Sequence, residues 1–298
     1  MELKVVVIGA GTMGAGIAQV SAQCGWHTIL YDAYEESLNK GLAGIQNFWK
    51  KGISKGKHTQ EQVDEWGQNI HPQKGELKDI VGDADLIIEA VPESLKLKQK
   101  IFQQLDQYCK PQAILATNTS GLSITDIAEV TSRSGDIIGM HFFNPVPLMP
   151  LLEIVKNNHS SKYTVEFAQK VAKEMGKTSI IVEDSPGFAT SRLGVMIGNE
   201  AIMMLAENVA SAKDIDLAMT LGYKHPMGPL ELTDLVGLDV RRDILNYLAE
   251  SLGNERYRPH PLLDALVKEG SLGKKVGRGI YDWSNGTPEI RELPKWRY

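Results

Sequence analysis

Apolar runs of four or five residues recur through the first 183 residues: 5–8, 28–31, 85–88, 113–116, 137–140, 151–155 and 179–182. Between them, residues 13–24, 34–50 and 95–108 read as helical, the second long and polar and the third Lys-rich. Short buried runs alternating with helices indicate right-handed βαβ crossovers, and so a mostly parallel sheet covered on both faces. After Glu183-Asp184-Ser185-Pro186-Gly187 the strand-like runs stop. Residues 191–207 carry Leu193, Ile197, Ala201 and Leu205 four apart, one face of a helix. Residues 214–221, 229–235, 239–252 and 261–268 also read as helices, divided by Gly and Pro. The pattern predicts a mostly parallel α/β domain over 1–183 and an all-helical domain over 184–298.

The first apolar run leads into a glycine-rich turn, Val5-Val6-Val7-Ile8-Gly9-Ala10-Gly11-Thr12-Met13-Gly14. In this G-x-G-x-x-G spacing, Gly9 permits the tight turn, Gly11 lets a pyrophosphate approach the backbone, and Gly14 lets helix and strand pack closely. Ala10, Thr12 and Met13 fill the phosphate-facing loop, and the helix N-terminus supplies N–H groups for an anion. The second run ends at Asp32, 32 − 9 = 23 residues beyond Gly9. That is near the ~20 expected for the acid that accepts from the adenosine ribose hydroxyls. The following Ala33-Tyr34-Glu35-Glu36 contains no Arg for a 2′-phosphate, so NAD is favoured over NADP. The first domain is therefore Rossmann-type. A purely structural turn with an exposed Asp32 is the alternative.

Composition narrows the classes. Lys plus Arg number 32 and Asp plus Glu 37, a net charge of -5, which speaks against a general nucleic-acid surface. Charged residues at 23% and apolar ones at 42% are globular values. Cys24 and Cys109 cannot build a disulfide framework, and no apolar run nears the ~20 residues of a membrane span. The start of the chain reads directly into a strand with no targeting segment, so the expected compartment is the cytoplasm. The seven histidines show no metal-ligand spacing and no G-x-S-x-G elbow occurs, so no metal and no serine nucleophile are expected.

Ligands of doubly wound sheets sit beyond the carboxyl ends of strands. There the chain places Glu89-Ala90-Val91-Pro92-Glu93, Thr117-Asn118-Thr119-Ser120 and His141-Phe142-Phe143-Asn144-Pro145-Val146-Pro147. Singly, each has an ordinary reading: Asn118 and Ser120 as turn formers, or Ser120 as the cap of a helix over 124–130. Around one dinucleotide they read as a site for moving a proton and a hydride. His141 is the natural base for a hydroxyl proton. Glu153, inside the apolar run Leu151-Leu152-Glu153-Ile154-Val155, needs a partner if buried, and His141 suits it. The alternative is an outward-facing Glu153 on an edge strand.

These motifs, with Asp184-Ser185-Pro186-Gly187-Phe188, His225-Pro226-Met227-Gly228-Pro229 and Gly273-Lys274-Lys275-Val276-Gly277-Arg278-Gly279-Ile280-Tyr281, stand in the order found in L-3-hydroxyacyl-CoA dehydrogenases. The chain resembles most the short monofunctional bacterial 3-hydroxybutyryl-CoA dehydrogenases. The resemblance implies reversible oxidation of a (3S)-3-hydroxyacyl-CoA by NAD, with His141 as base and Glu153 as its partner. It implies Ser120 on the substrate oxygen beside the nicotinamide, and Asp32, Glu93, Lys98, Asn144 and Lys275 at the cofactor, with Asn144 also near substrate. It makes the helical domain a homodimerisation domain that also closes over the acyl end. Where the family often reads Pro-Gly-Phe-x-x-Asn-Arg, this chain has Ser191 for the Asn, a shorter donor at the thioester end. Lys50, Lys51, Lys55 and Lys57 read as a solvated helix face. The family resemblance turns Lys51, Lys55 and Lys57 toward the phosphates of CoA. Two rivals share the fold: a gulonate-type dehydrogenase of a free hydroxy acid, and a crystallin-like structural protein.

Overall fold

The computed structural model describes residues 2–293. They divide into two compact units, one ending at Ser185 and one beginning at Pro186.

The first unit alternates β1 (Lys4–Ile8), α1 (Thr12–Gln23), β2 (His27–Tyr31), α2 (Glu35–Ser54), α3 (Gln60–Gln68), β3 (Ile70–Gln73), β4 (Leu86–Glu89), α4 (Leu95–Tyr108), β5 (Ile114–Thr117), α5 (Ile124–Ala128), β6 (Ile137–Phe142), β7 (Leu151–Lys156), α6 (Lys162–Glu174) and β8 (Thr178–Glu183). The eight strands form one sheet in the order β3-β2-β1-β4-β5-β6-β7-β8. All neighbours are parallel except β6 and β7. The central strands β4, β5 and β6 are buried at every residue. Helices on both faces leave such strands no solvated side, which is why they read as unbroken apolar runs.

Two elements are absent from the hydrophobic pattern. The edge strand β3 is Ile-His-Pro-Gln, half exposed, and its proline is tolerated because one side has no ladder to join. Helix α6 buries only Thr164, Ala168, Val171 and Ala172, too small a stripe to stand out. The expected helix over 34–50 is longer and is followed by a separate helix. Thr59 starts α3 with a capping box, its hydroxyl accepting from Gln62 N while Gln62 accepts from Thr59 N. Helix α5 is capped by Ser123 and not by Ser120.

The second unit contains α7 (Thr190–Ala206), α8 (Ala212–Leu217), α9 (Pro229–Val236), α10 (Leu238–Leu252) and α11 (Pro261–Lys268). Of the four-apart series on α7, Ala201 is buried, whereas Leu193 and Ile197 are 64% and 38% exposed. The inward face is Val195, Gly198, Ala201 and Ile202, packed with Leu238, Leu245, Leu262 and Leu266.

Two buried aspartates tie the unit together. Asp216 at the end of α8 accepts from Leu230 N and Glu231 N, capping α9, and from the Tyr281 hydroxyl at 2.7 Å. Asp234 on α9 accepts from Ile280 N, Tyr281 N and Trp283 Nε1, all within 2.8 Å. Burial pushes the Asp234 carboxyl above its usual range even though these three donors lower it. A Cβ on Gly228 would collide with the Asp216 carboxyl, and one on Gly279 with that of Asp234. Gly228 and Gly279 are therefore clearances for buried carboxylates.

Replacing Asp234 by Ala strands two backbone N–H groups and an indole N–H and should cost about 3–5 kcal/mol. Calorimetry of Asp234→Ala and of Gly279→Ala should show a depressed melting endotherm. Parental melting in both would remove Asp234 as the anchor.

Candidate active site

The glycine turn follows β1. Gly9 sits at φ +103, and a Cβ there would come within 2.7 Å of the Ala90 carbonyl oxygen. A Cβ on Gly14 would run into the Gly9 carbonyl. Only glycine meets both demands. Nothing lies within 4 Å of the Cβ position of Gly11, so the turn is open on the side a phosphate would approach. Helix α1 starts with no side-chain cap and no acidic residue in its first turn, leaving its N-terminal amides for an anion. Gly41 on α2 lets that helix close on Ala10, whose carbonyl would be 2.5 Å from an added Cβ.

Asp32, at the end of β2, accepts from Ala10 N at 2.8 Å and Tyr34 N at 2.9 Å. The carboxylate is thereby fixed beside the turn, with acceptor capacity left on both oxygens. A cavity of about 610 Å³ adjoins the turn, lined among others by Gly11, Thr12, Ser37, Lys40, Asn144 and Pro145. Gln19 also lines it, and its buried Nε2 has no partner among the described residues. An open glycine turn, uncapped amides, a fixed carboxylate and an orphaned amide donor suit a dinucleotide with a pyrophosphate and ribose hydroxyls.

Under the ends of β4 and β5 lies a buried charge pair that sequence reasoning missed. Glu89 accepts from Lys98 Nζ at 2.8 and 3.0 Å, from the Thr117 hydroxyl at 2.7 Å and from Val91 N at 2.7 Å. Neither charged side chain is more than 1% exposed. Four donor contacts offset the cost of burying the carboxylate. Lys98, expected at the cofactor, thus has its ammonium on Glu89, with Glu93 Oε2 at 3.4 Å. Glu93 in turn accepts from Ser120 N at 3.0 Å and from the Thr119 hydroxyl, holding the exposed Ser120 at the end of β5.

His141 and Glu153 are directly opposed in the antiparallel β6–β7 ladder. The His141 Nδ1 is 2.7 Å from Glu153 Oε2, and both side chains are buried. Glu153 is not on an edge, since β8 covers the far side of β7. Phe142 N donates to Asn118 Oδ1 at 2.9 Å, joining the β5 loop to the strand that carries His141. The loop after His141, with an exposed Asn144, is held by Lys177, which donates to the carbonyls of Val146 and Met149. Burial pulls the Lys177 ammonium below its ordinary range.

Lys51, Lys55 and Lys57 line one cavity of about 210 Å³ with His58 and Phe48. Two expected site residues belong to the second unit. Ser191 is in the first turn of α7, and Lys275 pairs with Asp239 at 2.6 Å. Among the described residues no cluster of three or more His, Cys, Asp or Glu could hold a metal, and no helix is long and apolar enough to cross a membrane.

Residues 4–185 match the family model "3-hydroxyacyl-CoA dehydrogenase, NAD binding domain", and residues 187–283 match its C-terminal domain. A probable 3-hydroxybutyryl-CoA dehydrogenase of Bacillus subtilis (strain 168) is 43% identical over 96% of this chain and 100% of its own length. The 3-hydroxybutyryl-CoA dehydrogenase of Clostridioides difficile is 42% identical over 95% of this chain and 100% of its own. The crystal structure of (S)-3-hydroxybutyryl-CoA dehydrogenase from Ralstonia eutropha superposes with a TM-score of 0.90 at 38% identity, covering 95% of this chain and 99% of that one. With both domains matched in order over nearly the whole length, the chain belongs to the 3-hydroxyacyl-CoA dehydrogenase family.

Proposed function

We propose that this chain is an NAD-dependent dehydrogenase that reversibly oxidises (3S)-3-hydroxyacyl-CoA thioesters to 3-oxoacyl-CoA, with the four-carbon 3-hydroxybutyryl thioester as its substrate. The observation that carries the chemistry is the buried 2.7 Å pair of His141 and Glu153 at the carboxyl end of the sheet. A carboxylate on Nδ1 fixes the tautomer whose Nε2 has the lone pair. His141 Nε2 takes the proton of the substrate hydroxyl, and Glu153 stabilises the imidazolium that results. The cofactor, when bound, supplies the acceptor for the hydride leaving the carbinol carbon. Ser120 donates to the substrate oxygen, and Glu93, itself paired to Lys98, keeps that serine in place. Gly9, Ala10, Gly11, Thr12, Met13 and Gly14 receive the pyrophosphate, and Asp32 receives the ribose hydroxyls. Asn144 serves cofactor and substrate from its anchored loop. Ser191 and Lys275 are assigned by resemblance alone, to the thioester and the cofactor.

The cavity shared by Lys51, Lys55 and Lys57 favours a CoA thioester over a free hydroxy acid, which has no phosphates for three ammonium groups to meet. The exposed Leu193, Ile197, Leu232, Leu235, Val236 and Val240 of the second unit favour a homodimer. Burial pushes the Cys24 thiol up to about 11 and Cys109 to about 12, as suits inert thiols in a reducing cytoplasm.

The direct test is oxidation of NADH by acetoacetyl-CoA, followed at 340 nm. Turnover of a free sugar acid in its place would overturn the reading. NADH should be preferred over NADPH by at least ~tenfold, and Asp32→Ala should narrow that gap. His141→Gln should lower kcat by ~10²–10⁴ with NADH binding retained. Glu153→Gln should also lower kcat, and the double variant should be little worse than His141→Gln alone, because the two act as one unit. Losses that multiply would mean Glu153 works independently. Sedimentation at micromolar concentration should give a dimer, and a clean monomer would refute the apolar face as an interface.

A further inference from the structure

Tyr257 ends a short turn, Glu255–Tyr257, between α10 and α11. It is 1% exposed, with its ring packed in the core of the second unit. Its hydroxyl oxygen meets three guanidinium N–H groups: Arg192 Nε at 2.9 Å, Arg192 Nη2, and Arg256 Nη2 at 2.6 Å. Both guanidiniums also reach over its ring, with Cζ 5.2 and 4.7 Å from the centroid. Among the described residues nothing accepts a hydrogen bond from Tyr257, and neither arginine pairs with a carboxylate. The nearby Glu250 of α10 and Glu255 of the turn are both on Arg258. The phenol thus faces Arg192 from α7 and Arg256 from its own turn. Two like charges converge on one oxygen with no carboxylate to balance them.

A neutral phenol has one O–H to donate and two lone pairs to accept with. Here three donors crowd the oxygen, and its own proton has no acceptor. Both faults disappear when the proton leaves for solvent: a phenolate offers three lone pairs, and charge-assisted bonds from guanidinium groups are the strong ones. We propose that Tyr257 is a phenolate in the folded chain at neutral pH, the shared counter-anion of Arg192 and Arg256. Burial opposes its ionisation, but the hydrogen bonds from Arg256 and Arg192 outweigh burial and hold the hydroxyl below the ordinary tyrosine range. The phenolate pins the start of α7 to the segment before α11. Asn199 bridges the same two elements, donating to the Arg258 carbonyl and accepting from His260 N. The anchor is sensitive to pH. In the unfolded chain a tyrosine keeps its proton up to a pH of about 10, so unfolding at neutral pH takes up a proton. The stability contributed by the phenolate therefore grows as the pH rises toward that value and is lost as the pH falls through the folded-state pKa. The inference concerns the second unit alone and is independent of the dehydrogenase reading.

The measurement is the near-ultraviolet tyrosinate band of the full chain. At neutral pH the parent should contain one tyrosinate per chain more than Tyr257→Phe. The band should vanish when the parent is unfolded in guanidinium chloride at the same pH, as the phenol regains its proton. The unfolding equilibrium constant of Tyr257→Phe relative to the parent should rise with pH by up to about tenfold per pH unit, the slope for one proton. Arg256→Met removes the exposed cation and keeps Arg192, so its band should appear only at higher pH; this variant carries the test if Tyr257→Phe does not fold. An identical spectrum for parent and Tyr257→Phe at neutral pH overturns the proposal, as does a band that survives unfolding or appears at the same pH in Arg256→Met. A ratio of unfolding constants that is flat with pH overturns it too. So does a parent that shows no tyrosinate and is stabilised by inorganic phosphate, which makes the two arginines an anion site beside a neutral phenol.

Discussion

The chemistry proposed for this chain depends on one register: the antiparallel ladder that sets Glu153 of β7 opposite His141 of β6. Side chains directly opposed in a ladder share a face of the sheet, so the pairing brings the two groups together without any loop being positioned for it. A slip of one residue would turn Glu153 to the other face and leave a buried carboxylate with no partner. The rest of the first unit protects that register. Strand β8 covers the far side of β7, Asn118 ties the β5 loop to the backbone of β6, and Lys177 holds the loop that follows His141. Because β7 is the strand that reverses direction, the dyad lies where the parallel sheet gives way to an antiparallel pair.

Much of this was legible in the order of residues, and the parts that were not have physical reasons. The glycine turn and Asp32 could be read because their spacing is dictated by local geometry: Gly9 needs positive φ, and Gly14 has no room for a Cβ. Glu153 could be flagged as a buried charge, but its partner depended on register and on β8 being present, which spacing does not encode. Strand β3 and helix α6 escaped notice because neither carries a strong apolar period. Ser120 looked like a helix cap because Ser is a good one, but Ser123 stands at the position whose hydroxyl reaches Asp126 N. Lys98 could be placed from sequence only as a cofactor contact, and only through the family resemblance. Only the fold reveals that it neutralises Glu89 beneath the site.

In the second unit the same logic runs through glycine. Gly228, Gly273 and Gly279 would each bring a Cβ into Asp216 or into the carboxylate or backbone of Asp234. As sequence they were a family signature. As structure they let two acidic groups sit inside a small helical unit and collect donors from α9 and from the C-terminal segment. The alternation of Leu193 and Ile197 with Ala201 shows the limit of reading one helix alone. A four-residue period drifts around a 3.6-residue helix, so a single series can begin on the outer surface and end in the core.

Two buried cationic side chains and a half-buried one make the final contrast. Lys98 is buried against Glu89 and Glu93, and the half-buried Lys177 meets two backbone carbonyls, so each has acceptors that hold a structural element in place. Arg241 is buried like Lys98 but has no acceptor on its Nε among the described residues. An acceptor on a desolvated cation offsets the cost of burying it, so the two lysines brace the first unit while the guanidinium leaves its cost unmet within the second.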